Sequence, residues 1–294
     1  MITILAALII GLGLVVGVAY LYHRYEWKAV LPGAAAVILM TVVSGEVTGL
    51  PFVIAPLVLG TIGGYTFKKG KSFTFFLVTA AFSLAVLFGV YFYAMVIFEK
   101  VDFVGMLRGE LVRFLNTARA PEDIKSQFLS DFDGSKDDII ARVPFSSFLN
   151  AVILAGLAFV AVRKFFSRLP NAEPVAGLEY FKLNEYFIFV LIAGLGIYLL
   201  IDKAHYSAVS NAGLNAVLIS ALLYFVQALG IVKFHLIKRG APTYILPLAL
   251  VTMTIMGIWI LFFLFVLLAG FGTLDVWADF RKLSKQDAGG SGEN

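Results

Sequence analysis

The sequence predicts an all-α fold: a polytopic transmembrane helix bundle of about eight spans, with amphipathic helices at the membrane interface. Three observations lead to this prediction. Apolar residues make up 60% of the 294 residues and charged residues only 14%, which is far from the composition of soluble globular domains. The apolar residues form runs of about 20, long enough for a helix to cross roughly 30 Å of hydrocarbon. Short loops that combine cations with tyrosine or tryptophan separate several of these runs, as at a membrane surface.

The first four predicted spans make up an amino-terminal half, residues 1–98. They cover residues 2–22, 29–45, 48–67 and 74–98. The third span contains Gly60 and Gly64, whose GxxxG spacing predicts the close approach of another helix. Prolines weaken the start of that span, and Glu46 stands in the break before it. Glu46 is therefore a candidate ligand or cation contact, and a solvated loop carboxylate is the alternative.

Residues 99–145 form a hydrophilic region between the two sets of spans. Apolar residues recur there at helical spacing in two stretches, 103–115 and 124–132. Pro121, followed by two acidic residues, is typical of a helix start. We therefore expect two amphipathic helices that lie on the bilayer or cap the bundle.

The carboxy-terminal half, residues 146–272, contains four more predicted spans. They cover residues 148–166, 186–201, 211–234 and 243–270. Amide and hydroxyl side chains interrupt the seventh span, and because lipid cannot satisfy them, they must face another helix or a wet cavity. Together with an asparagine of the fifth span they are candidates for ligand contact: Asn150, Asn215, Tyr224 and Gln227. Hydrogen bonds between helices, worth about 0.6 to 2 kcal/mol each, are the alternative explanation.

Residues 273–288 are predicted to form a short terminal helix in the membrane interface. Gly270 and Gly272 can end the eighth span, and Thr273 is a suitable N-cap for a new helix. The charged face of this helix is a predicted interfacial cluster of Asp275, Asp279, Arg281 and Lys282. The tail, residues 289–294, reads GGSGEN, which is typical of a linker to a tag, and it takes no part in the fold prediction.

Two segments carry a family resemblance: LNAVLISALLYFVQALGIVKFHLIKR, residues 214–239, and LDVWADFRK, residues 274–282. Their motif residues are Asn215, Gln227 and Gly230, then Asp275, Asp279, Phe280, Arg281 and Lys282. With these residues the chain resembles the YybS-like family of predicted bacterial inner-membrane proteins, a family of unknown function, although its glutamine and glycine are spaced more loosely than in the family pattern. The resemblance implies a polytopic protein distantly similar to the S components, the substrate-binding subunits, of energy-coupling-factor vitamin transporters.

The sequence also argues against several kinds of chemistry. Because it contains no cysteine, disulfides, thiolate nucleophiles and cysteine-ligated metals are excluded. Its histidines are dispersed, and neither a nucleophile elbow nor a phosphate-loop lysine occurs. We therefore expect no enzyme activity, no cofactor, no metal site and no nucleic-acid partner.

The resemblance implies a multi-pass protein of the bacterial cytoplasmic (inner) membrane, and the distribution of cations predicts its orientation. The odd-numbered loops carry Lys68, Lys69, Lys71, Arg163, Lys164, Arg168, Lys238 and Arg239, whereas the short even-numbered loops hold only Lys203. The positive-inside rule then favours both termini and the hydrophilic region outside the cytoplasm. The cations after Gly272 favour the opposite orientation, and the side of the first loop reverses if the second and third spans form one re-entrant unit.

Three functional hypotheses follow from this organisation. The first is transporter-like binding of a small or amphiphilic solute within the helix bundle, at the polar face of the seventh span. The second is a non-transporting scaffold that binds another membrane protein or a second copy of the chain, which requires that polar face to be packed shut. The third is a lipid-handling protein, based on the interfacial helices alone. Membrane lipids are partners under all three.

Overall fold

The computed structural model of the protein describes residues 2–43, 50–97, 100–119, 121–169, 175–203, 205–256 and 258–281. Every regular element in these ranges is a helix, which confirms the all-α class. The helices are α1 Ile2–Tyr25, α2 Trp27–Val43, α3 Leu50–Lys68, α4 Phe73–Ile97, α5 Phe103–Thr117, α6 Glu122–Gly134, α7 Lys136–Ala141, α8 Val143–Phe166, α9 Ile188–Leu200, α10 Ser207–Lys238, α11 Ile245–Met256 and α12 Ile258–Ala278.

Within the described ranges, five helices are long and apolar enough to cross a membrane, so the predicted count of about eight spans is not confirmed. The five stretches are Leu8–Tyr25, Phe73–Ile97, Val143–Phe166, Ser207–Lys238 and Ile260–Ala278. Two shorter apolar stretches, Val53–Lys68 and Glu185–Leu200, do not reach this length. At 1.5 Å per residue the 13 residues of α9 extend about 20 Å, which is less than the thickness of the hydrocarbon core.

The hydrophilic region folds into amphipathic helices, as predicted, with the short α7 as an addition. The Asp102 carboxylate caps α5 by accepting a hydrogen bond from the Gly105 N–H at 2.8 Å. Pro121 is the N-cap residue of α6, where the sequence predicted a helix start. An ion pair between Arg108 and Asp133, 3.2 Å apart, joins α5 to α6.

The membrane helices pack in a continuous series: α1 lies on α3, α3 on α4, α4 on α8, and α8 contacts α10, which also packs against α9 and α12. The close approach predicted for Gly60 and Gly64 is confirmed at the α1–α3 contact. A Cβ atom on Gly60 would lie 2.7 Å from the Val15 carbonyl oxygen, and one on Gly64 would lie 2.5 Å from that of Ala19. Buried side chains of α4 and α8, among them Phe76 and Leu84, form the centre of the core.

The predicted break after the eighth span is not observed, because α12 continues through both glycines to Ala278. The Thr273 hydroxyl donates to the Ala269 carbonyl oxygen at 2.8 Å, inside the helix, and does not cap a new one. Gly272 has a packing role instead: a Cβ atom there would overlap the Tyr224 carbonyl oxygen on α10. The glycine thus allows α12 to approach α10 without ending the helix.

Candidate functional site

The segment between α8 and α9, residues 175–187, is packed into the bundle, and we call it the connector. The side chains of Val175, Phe181 and Leu183 are buried. The Phe181 ring meets the Phe73 ring of α4 edge-on, with centroids 5.9 Å apart. On α10, the lack of a side chain at Gly230 makes room for the connector backbone. The position of the connector is therefore fixed by packing against α4 and α10.

A buried polar cluster, formed by Gln227, Asp275 and Arg281, ties α10, α12 and the connector together. Arg281 Nη2 donates to Asp275 Oδ2 at 2.8 Å, and both side chains are 0% exposed. Arg281 Nη1 donates to the carbonyl oxygens of Phe181, at 2.8 Å, and Glu179, at 3.1 Å. The guanidinium therefore joins the segment that follows α12 to two backbone acceptors of the connector.

Gln227 completes the cluster from the α10 side. Its Nε2 donates to Asp275 Oδ2 and to the Gly272 carbonyl oxygen, both at 3.1 Å, and its Oε1 accepts from the Leu183 N–H at 2.9 Å. The other Asp275 oxygen accepts from the Phe280 N–H at 2.8 Å. The amide and the carboxylate are thus both bound within the protein.

A backbone turn after α12 brings Arg281 into the cluster. Asp279 has a positive φ of 40°, in the left-handed region, which ends the helix and reverses the chain. The Asp279 carboxylate also lies 3.4 Å from Lys182 Nζ on the connector. The predicted interfacial charges therefore face the protein: Asp275 and Arg281 are buried, and Asp279 pairs with the connector. Lys282 lies outside the described residues.

The structure does not bring the predicted ligand contacts together. Asn215 joins α10 to the turn before α8, since its Nδ2 donates to the Ala141 carbonyl oxygen at 2.7 Å and its Oδ1 accepts from the Phe145 N–H at 3.0 Å. Gln227 is twelve positions further along α10, about 18 Å away. Asn150 lies on the exposed face of α8, and Glu46 lies outside the described residues.

Tyr224 is a predicted ligand contact whose hydroxyl makes no hydrogen bond within the described part of the protein. Its side chain is fully buried beside the Phe187 ring, at a centroid distance of 6.1 Å. Its hydroxyl and that of Ser220, one turn earlier on α10, have no hydrogen-bond partner among the described residues. The polar face of α10 is therefore closed around Tyr224 and Gln227, as the scaffold hypothesis requires.

A groove of about 660 Å³, the α8 groove, opens along the outer side of α8. Its apolar wall includes Ile153, Leu157 and Val160, which are 52%, 41% and 63% exposed. Gly156 lies among them, and a Cβ atom there would meet nothing within 4 Å. Since these residues belong to a candidate membrane span, the groove faces the region of the lipid chains.

Cations gather where the groove reaches the end of α8. Arg163, Lys164 and Lys233 line this end. Lys233 Nζ lies 2.7 Å from the Glu179 carboxylate, and Arg163 Nη2 lies 3.9 Å from it. Although burial opposes the charged form, the Lys233 ammonium and the Arg163 guanidinium keep the pKa of the Glu179 carboxyl below its ordinary value. Three cations thus face one ionised carboxylate, an excess of two positive charges.

The sequence analysis did not predict this cationic end, because its residues come from α8, the connector and α10. One signal was available: Lys233 is a cation inside the predicted seventh span, close to its end, and a charge within a span is a candidate for a functional role. Within the described part of the chain, no group of His, Asp and Glu residues is suited to hold a metal ion.

Comparisons with known proteins support the membrane character of the chain. The family described as a predicted membrane protein, DUF2232, matches residues 1–276. No match was found among curated proteins or among solved structures. The family match does not extend to the YybS-like family or to the S components, and that resemblance remains a prediction. Because the match covers almost the whole chain, the protein belongs to the DUF2232 family of predicted membrane proteins.

Proposed function

We propose that this protein is a multi-pass protein of the bacterial cytoplasmic membrane that binds an amphiphilic molecule in the α8 groove. One observation carries the proposal: a single groove combines an exposed apolar wall with an excess of positive charge at one end. An amphiphile with an acidic or strongly polar head matches both parts, because its chain covers apolar surface while its head reaches the cations.

The length of the groove fits one leaflet of a bilayer. From Val152 to Arg163, α8 rises about 16 Å at 1.5 Å per residue. This is about half of the roughly 30 Å hydrocarbon core. Cations of a membrane helix prefer the interface, so Arg163 and Lys164 belong at the level of lipid headgroups. A chain along the groove would therefore place its head beside them.

This proposal keeps the amphiphilic solute of the transporter-like hypothesis but moves its site from α10 to α8. The Asn215 and Gln227 amides already bind protein groups, and a ligand there would have to break those hydrogen bonds. We assign both residues to the support of the bundle. The lipid-handling hypothesis is compatible with the same groove.

The test is to fill the groove with Gly156→Leu. Because an added Cβ atom meets open space, the leucine side chain should occupy the groove without disturbing the fold. We expect at least a tenfold loss of bound phospholipid by native mass spectrometry, after reconstitution in vesicles of phosphatidylethanolamine and phosphatidylglycerol. The matched control is Gly89→Leu on α4, where a Cβ atom also meets nothing within 4 Å. Equal lipid binding by the two variants would contradict the proposal.

The scaffold hypothesis is supported by a different observation, the exposed apolar faces of α5 and α6. Met106 is 61% exposed, Phe114 is 68% exposed and Phe128 is 53% exposed. Under this alternative the partner is a second copy of the chain, and the double variant Met106→Ser, Phe114→Ser should convert an oligomer to a monomer in native mass spectrometry. A wild-type protein that is already monomeric would contradict it.

A further inference from the structure

A second groove lies on the other side of α8 and shares Lys164 with the first. Its volume is about 360 Å³, and α1 and α8 form its walls. On α1 the wall includes Gly13, where an added Cβ atom would meet nothing within 4 Å. Arg168 lies at the same end as Lys164. We call it the α1 groove. Like the α8 groove, it joins apolar walls to cations at the end of α8.

Each groove has positive charge of its own besides the shared lysine. In the α8 groove, Arg163 and Lys233 outnumber Glu179 by one charge. In the α1 groove, Arg168 adds one more. Lys164 lines both grooves. The two grooves together therefore carry three positive charges in excess, because four cations face the single Glu179 carboxylate. A single phosphate at Lys164 would leave an excess positive charge in each groove, because Glu179 balances only one of the two outer cations of the α8 groove.

We propose that the two grooves together bind one phospholipid that carries two phosphates, of the cardiolipin class. One phosphate lies in the α8 groove beside Arg163, the other lies in the α1 groove beside Arg168, and Lys164 contacts both. The acyl chains pass down the two sides of α8. This inference rests on the proposed function, because it assigns the ligand class of the α8 groove and adds the α1 groove to the site.

The chemistry of the cations supports a phosphate ligand. Arginine presents a planar fork that binds phosphate oxygens in pairs, whereas lysine acts as a mobile point charge that can serve two neighbouring anions. Basic pockets between membrane helices recognise headgroups of this class. Because Glu179 pairs with Lys233 at 2.7 Å, Arg163, Lys233 and Glu179 together leave one positive charge in excess in the α8 groove, which suits a singly charged phosphate better than a multiply charged one.

The experiment measures binding of cardiolipin, phosphatidylglycerol and phosphatidylethanolamine to the full chain by native mass spectrometry. Phosphatidylglycerol is supplied at the same number of phosphates as cardiolipin. We expect cardiolipin to bind at least tenfold more tightly than either of the others. Lys164→Gln should lower cardiolipin affinity roughly fivefold or more, while Lys238→Gln, an exposed cation at the end of α10, should leave it unchanged.

Filling each groove separately distinguishes this inference from the proposed function. Gly13→Leu blocks the α1 groove, and Gly11→Leu is its control, because a Cβ atom at Gly11 also meets open space. We expect Gly13→Leu to reduce cardiolipin binding to the level of phosphatidylglycerol. If it binds cardiolipin like the wild type while Gly156→Leu does not, only the two-groove inference is overturned. If Gly156→Leu also binds like the wild type, the proposed function is overturned too.

Discussion

The buried polar cluster and the α8 groove both contact the connector, yet they use charge in opposite ways. In the cluster, Asp275 and Arg281 are 0% exposed and bind each other and nearby backbone groups. In the groove, the Arg163 side chain is 42% exposed, and the cations outnumber the carboxylate that faces them. The comparison separates charges that hold the fold from charges that remain available to a ligand.

The difference has an energetic basis. Burying two charges costs several kcal/mol per ion, and the attraction between them offsets this cost only when further hydrogen bonds satisfy the remaining polar atoms. Both Asp275 oxygens meet that condition, since Phe280 and Gln227 donate to them, whereas Arg281 Nε has no hydrogen-bond partner among the described residues. The groove cations keep their access to solvent or headgroups, so a bound anion gains attraction without a comparable desolvation cost.

The largest effect is expected from breaking the cluster with Asp275→Asn. The substitution keeps the size of the side chain but leaves the Arg281 guanidinium buried without a counter-charge. We expect the free energy of unfolding to fall by about 3 to 5 kcal/mol. The measurement is denaturant unfolding in detergent, followed by tryptophan fluorescence.

The control for this variant is Lys182→Gln, which removes the half-buried ion pair with Asp279. Pairs with this degree of exposure contribute about 1 kcal/mol or less, so the control should unfold almost like the wild type. Equal destabilisation by the two substitutions would mean that the buried ion pair contributes no more to the free energy of unfolding than the half-buried pair does. Neither substitution should change lipid binding in the α8 groove.

A smaller effect is expected from Gln227→Leu. The leucine leaves the buried Leu183 N–H without an acceptor and removes the amide donor to Asp275, which should cost about 1 to 3 kcal/mol of unfolding free energy. The sequence analysis made Gln227 a candidate ligand contact, and in that role the substitution would lower ligand binding and leave the fold intact. Unfolding and lipid binding measured on one sample decide between the two roles.

Asn150→Leu is the matched control for Gln227→Leu, because it makes a similar amide-to-leucine change at an exposed position of a membrane helix. We expect it to alter the unfolding free energy by less than about 0.5 kcal/mol. If Gln227→Leu is as stable as this control and binds less lipid, the site belongs on α10 after all.

Much of the fold follows from the sequence, because long apolar runs and helix caps are local signals. Runs of about 20 apolar residues define the main spans, and the GxxxG spacing of Gly60 and Gly64 marks a real helix contact. Pro121 marks a real helix start. The number of spans was harder to predict, since a run such as α9 is apolar but too short to cross the hydrocarbon core by itself.

The candidate site could be predicted only in part, because it depends on contacts between distant segments. Nothing in the sequence near Asp275 reveals that Gly272 lets α12 approach α10, or that the backbone turns back at Asp279. From the sequence alone, the charges at Asp275, Asp279 and Arg281 therefore predict an amphipathic helix at the surface. The groove depends on Lys233 and Glu179, which are 54 positions apart in the chain and meet only through the packing of the connector.

The smallest effect is expected from the ion pairs of Asp133 with Arg108 and Lys136, which lie outside the membrane spans. These charges are exposed, so they can be compared with both the buried cluster and the α8 groove. Hydrogen bonds from Lys136 and Arg108 hold the pKa of the Asp133 carboxyl below its ordinary value of 3.8. Because the folded pKa is depressed, the stabilisation is fully present above the ordinary value and is lost as the pH falls through the folded pKa.

We expect amide hydrogen exchange in α5 and α6 to become slightly less protected on acidification below about pH 4. Arg108→Gln should weaken this pH dependence, whereas a wild-type region that gains protection on acidification would contradict the assignment.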